Sequence, residues 1–110
     1  MNLIVTAHGD VTVIAIPVDH LDARNVSEFK VEIAKLFQDH KKMILNCEQL
    51  RIVDSSGLGA IMYCVQTQTT SGCDLKLAAL SKGVRSLFEL VRMHRMIGIF
   101  NTVDEAVKSF

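Results

Sequence analysis

The residues most able to do chemistry stand in one stretch, Arg51-Ile52-Val53-Asp54-Ser55-Ser56-Gly57-Leu58-Gly59. It sets a carboxylate, two hydroxyls and two glycines before a segment whose apolar residues Leu58, Ile61, Met62 and Val65 recur at helical spacing. A helix start exposes free N–H groups and the positive end of the helix dipole, so it favours negative charge. A hydroxyl there can cap the helix, and a phosphate esterified to it would be held by several backbone N–H groups. Gly57 and Gly59 carry no side chain, which lets another protein approach the backbone closely. The same residues also have a plain structural use. Asp and Ser before a helix are favoured N-caps anywhere, and Gly-Leu-Gly can serve helix packing alone.

Other constellations carry less. His8, His20, His40 and His94 are scattered beside Asp or Arg and not beside one another, so no metal site is expected. Cys47, Cys64 and Cys73 are odd in number and lack C-x-x-C spacing. That argues against a disulfide framework or zinc and fits a reducing cytosol. Cys64 lies beside the buried stripe of its helix and reads as structural. Cys73 follows Gly72 in a turn and is expected to be exposed and open to oxidation. No His or Cys shares a motif with Ser55 or Ser56, so a nucleophilic triad is unsupported. Gly57-x-Gly59 lacks the third glycine of a dinucleotide fingerprint. Neither a cofactor nor an enzymatic activity is expected. The methionines are core filler. Met93, Met96 and Ile97 read as core packing, with an exposed interaction patch that could support a homodimer as the alternative. Arg92-x-x-Arg95 reads as a solvated helix end.

These residues must be positioned by a chain of 110 residues, which fits one domain over 1–110. Lys plus Arg and Asp plus Glu are 12 each, so there is no basic excess to release phosphate counterions. Nucleic acid and anionic membranes are therefore poor partners. The longest nearly apolar run, Gly57 to Val65, is about half a membrane span. Residues 1–10 lack the basic start and long apolar stretch of a signal peptide. A cytoplasmic protein is expected.

The segments alternate in type. Leu3–Ala7 and Val11–Ile16 are β-branched runs joined through Gly9-Asp10, a hairpin signal. A first helix is expected over 25–38, with Val26, Phe29, Ile33, Leu36 and Phe37 at helical spacing; Asn25-x-x-Glu28 reads as its capping box, with Asp22 as an alternative cap. Met43-Ile44-Leu45, polar only at its ends, fits a strand covered on both faces. The second helix begins near Ser55 or Ser56 and stops at Thr69-Thr70-Ser71-Gly72. Leu75–Ala79 reads as a strand, Val84, Leu87, Phe88 and Val91 as a helix after Ser81, and Ile97–Phe100 as a short strand. Thr102-x-x-Glu105 starts a last helix. The order β-β-α-β-α-β-α-β-α implies an α/β fold with a mixed, mostly parallel sheet. Sites in such sheets lie at the carboxyl ends of strands, which singles out the loop before the second helix.

Asp54-Ser55-Ser56-Gly57-Leu58-Gly59, preceded by Ile52-Val53, resembles the signature of the STAS domain of bacterial anti-sigma factor antagonists and sulfate transporter tails. The resemblance runs over nearly the whole chain: Leu21-Asp22-Ala23 with Asn25, Ile44-Leu45-Asn46-Cys47, Val84 to Leu90 and Val103-Asp104-Glu105-Ala106 all resemble family segments. Two departures stand out. Asn46 replaces the usual Asp, and Asp19-His20-Leu21-Asp22 lacks the glycine common before the first helix.

The resemblance implies partner switching, as an anti-sigma factor antagonist. The serine after the signature Asp maps to Ser55, which an anti-sigma factor serine kinase would phosphorylate. The unphosphorylated domain would bind that kinase, phosphorylation would release it, and a serine phosphatase would reset it. Asp22, Asp54, Ser55, Ser56 and Gly57 are the expected partner-binding residues. Ser56 is expected to cap the helix, not to be a second phosphosite. STAS relatives also include ATPase-bound subunits of lipid or organic-solvent-tolerance transporters and nucleotide- or lipid-sensing modules, which are the alternative readings.

Overall fold

The computed structural model describes all 110 residues. The strands are β1 (Ile4–His8), β2 (Val11–Ala15), β3 (His20–Leu21), β4 (Lys42–Asn46), β5 (Ile52–Val53), β6 (Asp74–Ala78) and β7 (Ile99–Phe100). The helices are α1 (Val26–Asp39), α2 (Ser55–Ser71), α3 (Lys82–Leu90) and α4 (Val103–Lys108), with one 3-10 turn at Met93–Arg95. A five-stranded sheet runs β1-β2-β4-β6-β7. β1 is antiparallel to β2, and every other pairing in it is parallel.

The strand period of two divides the core between the faces. Ile14 of β2, Met43 and Leu45 of β4, and Leu75 and Leu77 of β6 point to one face. There they meet Phe29, Ile33 and Phe37 of α1, Ile61, Cys64 and Val65 of α2, and Val84 and Phe88 of α3. Val11, Val13, Ile44 and Ala78 point to the other face, which α4 covers through Ala106. Met43-Ile44-Leu45 reads as an unbroken apolar run because both faces of β4 are covered.

The turns follow local chemistry. Gly9 takes φ +65° in the two-residue turn between β1 and β2, and Gly72 takes φ +76° at the end of α2. Ser81 caps α3 through the Val84 N–H, and Thr102 caps α4 through the Glu105 N–H.

The α/β order expected from the sequence holds, with two short strands added. β3 and β5 form a separate parallel ladder pairing His20 with Ile52 and Leu21 with Val53. Two-residue strands show no alternation, so the sequence could not announce them. Two local expectations are corrected. Asn25 occupies the N-cap position of α1, yet its side chain makes no capping bond. Cys73 is buried at 6% exposure, packed in the main core with Cys47 and Cys64. Burial pushes its thiol up to about 11, and those of Cys47 and Cys64 to about 12.

Candidate functional site

β5 leads straight into α2, and β3 lies beside it, so two turns meet at one end of the molecule. Asp54 joins them. Its backbone is extended, and its Oδ1 accepts from the Gly57 N–H at 2.8 Å, which makes it the N-cap of α2. Its Oδ2 accepts from the Ala23 N–H at 3.4 Å, in the turn before α1.

That second turn is braced from within. The buried Asn25 accepts from the Asp22 N–H at 3.0 Å and donates to the His20 carbonyl at 2.9 Å. This work inside the turn is why its amide is not available to cap α1. The Asp22 carboxylate accepts from the Arg24 N–H at 2.9 Å and pairs with the Arg24 guanidinium at 2.7 Å. The guanidinium holds the Asp22 carboxyl below its usual range. Asp22 therefore closes its own turn and does not cap the helix. His20 Nδ1 bonds the Asp19 carboxylate at 2.9 Å and lowers its pKa likewise.

Of the residues singled out in sequence, Asp54, Ser55 and Asp22 come together at this end of the fold. Ser55 is the first residue of α2, is exposed, and its hydroxyl makes no hydrogen bond within the chain. Ser56 is half-buried within the first turn of α2, and the capping expected of it falls to Asp54. Gly57, expected among the partner contacts, is buried. A β-carbon there would lie 2.8 Å from the Leu21 carbonyl carbon and 3.0 Å from Val53 Cγ1. Its bare α-carbon is thus required by its own chain, and it serves the site by letting β3 lie against α2. Gly59 is open to solvent, with nothing within 4 Å of an added β-carbon.

Three features were not signalled by the sequence: the exposure of Ile52, the Arg24 ion pair, and Tyr63 further along α2. Ile52 is 60% exposed immediately before the signature. Arg24 brings a cation paired with Asp22, signalled only by an Asp-x-Arg spacing. Tyr63 lies on the exposed side of α2 with Lys30 Nζ 5.6 Å from its ring centre. The site thus combines the exposed Ser55 hydroxyl, the half-buried Ser56, a paired carboxylate–guanidinium and the exposed Ile52. No three His, Cys, Asp or Glu side chains converge anywhere to hold a metal, and no helix is long and apolar enough to cross a membrane.

The chain belongs to the STAS domain family, whose model matches residues 2–106. A candidate anti-sigma factor antagonist of Thermotoga maritima is 26% identical over 101 residues, which are 90% of this chain and 89% of that protein. A crystal structure of such a protein from the same organism superposes with a TM-score of 0.88 at 23% identity, covering 97% of this chain and 92% of that one. The anti-sigma factor antagonist SpoIIAA in its unphosphorylated form superposes with a TM-score of 0.78 at 21% identity, covering 98% and 95%.

Proposed function

We propose that this chain is an anti-sigma factor antagonist that works by partner switching in the cytoplasm. It is a binding protein and a kinase substrate. Unphosphorylated, it docks on an anti-sigma factor that is also a serine kinase. Transfer of a phosphoryl group to the Ser55 hydroxyl breaks that complex, and a serine phosphatase restores it. The observation that carries this reading is the exposed, unbonded hydroxyl of Ser55 directly after the capping Asp54 at the start of α2.

The physical argument is electrostatic. A phosphoserine adds about −1.5 to −2 charges. The helix start tolerates that charge within the chain, so the fold need not change. A partner surface matched to a neutral hydroxyl would not tolerate it. One like-charge pair at about 4 Å, with an effective dielectric of about 20, costs about 4 kcal/mol. A third of that is about tenfold in affinity. Asp54 adds to the repulsion. Ile52 supplies the apolar contact that such an interface needs.

The test is intact mass after incubation with ATP and each candidate anti-sigma kinase of the same genome, with wild type beside Ser55→Ala. One added phosphate, lost in the variant, supports the reading. No phosphate with any kinase removes the switch and leaves Asp54-Ser55-Ser56 as a cap and docking surface.

A further inference from the structure

The two edges of the main sheet differ. β7 is two residues long, which leaves little edge to pair. β1 is five residues long, Ile4-Val5-Thr6-Ala7-His8, and every one of them is exposed. It has no Lys, Arg, Asp, Glu, Gly or Pro, so it carries none of the usual devices that keep an edge from pairing. Its β-branched residues suit a strand.

The register shows which backbone groups are free. His8 faces Val11 directly across the two-residue turn, so those two residues exchange both of their N–H···O bonds. By alternation Thr6 and Ile4 also bond to β2, while Leu3, Val5 and Ala7 point their N–H and C=O groups outward. Leu3 follows that alternation, since its N–H turns away from β2 and donates to the Glu32 carboxylate at 3.1 Å. Val5 and Ala7 are left with two N–H and two C=O groups facing solvent. They are symmetric about Thr6.

We propose that β1 pairs with β1 of a second copy of this chain, antiparallel about a two-fold axis at Thr6, joining two five-stranded sheets into one. Val5 then lies opposite Ala7 of the second copy, and Ala7 opposite its Val5. All four outward groups of each strand are satisfied. The two Thr6 side chains meet as a closely spaced non-bonded pair, where Thr–Thr contacts are favourable. Ile4 and Val5, 52% and 47% exposed, are covered by His8 and Ala7 of the second copy. A two-fold axis at Val5 instead would need the Leu3 N–H, which Glu32 already takes. A second copy is favoured over an unrelated strand because the free groups are self-complementary as they stand. The surface is separate from Ser55, so this assembly does not depend on the phosphorylation reading.

Sedimentation velocity on the full chain tests it. Wild type should be a dimer. Val5→Pro should be a monomer with an unchanged circular dichroism spectrum, because the Val5 N–H makes no bond within its own chain. Val5→Lys and Ala7→Glu should each weaken self-association, and their mixture should form a heterodimer at least tenfold tighter than either alone. Wild type that stays monomeric up to about 1 mM overturns the proposal. A dimer that survives both Val5→Pro and Ala7→Glu, or a mixture no tighter than its components, overturns it as well.

Discussion

The α-carbon of Gly57 packs against the carbonyl group of Leu21, leaving no room for a side chain between the first turn of α2 and β3. Both sides of that contact hold fixed backbone, so a methyl group could be admitted only by moving a strand. Gly59, two residues on, faces open space. The two glycines of the signature therefore answer opposite demands. Gly57→Ala should destabilise the protein by about 3 kcal/mol, the upper range for overpacking. Gly59→Ala should stabilise it by up to about 1 kcal/mol, because Gly is the poorer helix former. Chemical denaturation of both variants checks the pair, and equal signs would contradict the geometry.

Asp54 serves two elements at once, and its replacement should show in both. Asp54→Ala leaves the Gly57 N–H without its acceptor and should cost about 1–2 kcal/mol. It also releases the Ala23 N–H, so the amide resonances of the turn before α1 should shift along with those of α2. Ser55→Ala, at an exposed hydroxyl with no bond in the chain, should change stability by less than about 0.5 kcal/mol. Thermal unfolding with amide spectra of the two variants separates cap from phosphoacceptor. A large loss in Ser55→Ala would mean the hydroxyl has a structural partner after all.

The acid side of the stability profile should depend on Arg24. Its guanidinium lowers the Asp22 carboxyl below the ordinary value of 3.8. A carboxyl lowered on folding contributes stability above its unfolded pKa, and that contribution is lost as pH falls through the folded value. Stability should therefore drop between about pH 5 and pH 2. Asp19 beside His20 and Asp10 beside Lys42 add to the drop in the same direction. Arg24→Ala should shrink the drop without changing stability at alkaline pH relative to neutral. Denaturant midpoints across that range measure it.

How much was legible in the sequence follows from what each element needs. The long helices and central strands announce themselves because burial imposes a period: Phe29, Ile33 and Phe37 on α1, and the fully apolar centre of β4. Ser81 and Thr102 both cap through local bonds, but only Thr102 was readable as a cap, from Thr102-x-x-Glu105; Ser81 showed only as the residue before a helix. Asn25 looked like a cap for the same reason, but the turn from His20 to Asp22 claims its amide. β3 and β5 are too short for a pattern and exist only because the chain brings them together. Asp54 and Ser55 were visible as residue types, and their division of labour was not. Which of Asp54, Ser55 and Ser56 is the cap depends on where the helix axis begins, a matter of a single residue.

The cysteines give the sharpest contrast between sequence context and burial. Cys73 follows a turn glycine and looked exposed, yet it closes the end of the main core just before β6. Its thiol is pushed up to about 11, and those of Cys47 and Cys64 to about 12, because a thiolate would lose its hydration there. The reactive form is thus scarce near neutral pH, and all three residues are buried. None of the three should react with a thiol-specific disulfide reagent on the timescale of a free thiol while the protein is folded. All three should react once denaturant is added, and the native rate should rise only as fast as unfolding populates the open chain. Cys73→Ser would place a hydroxyl in that apolar setting and should cost about 1–3 kcal/mol. A fast-reacting native thiol lost in that variant would show that Cys73 opens to solvent independently of the core.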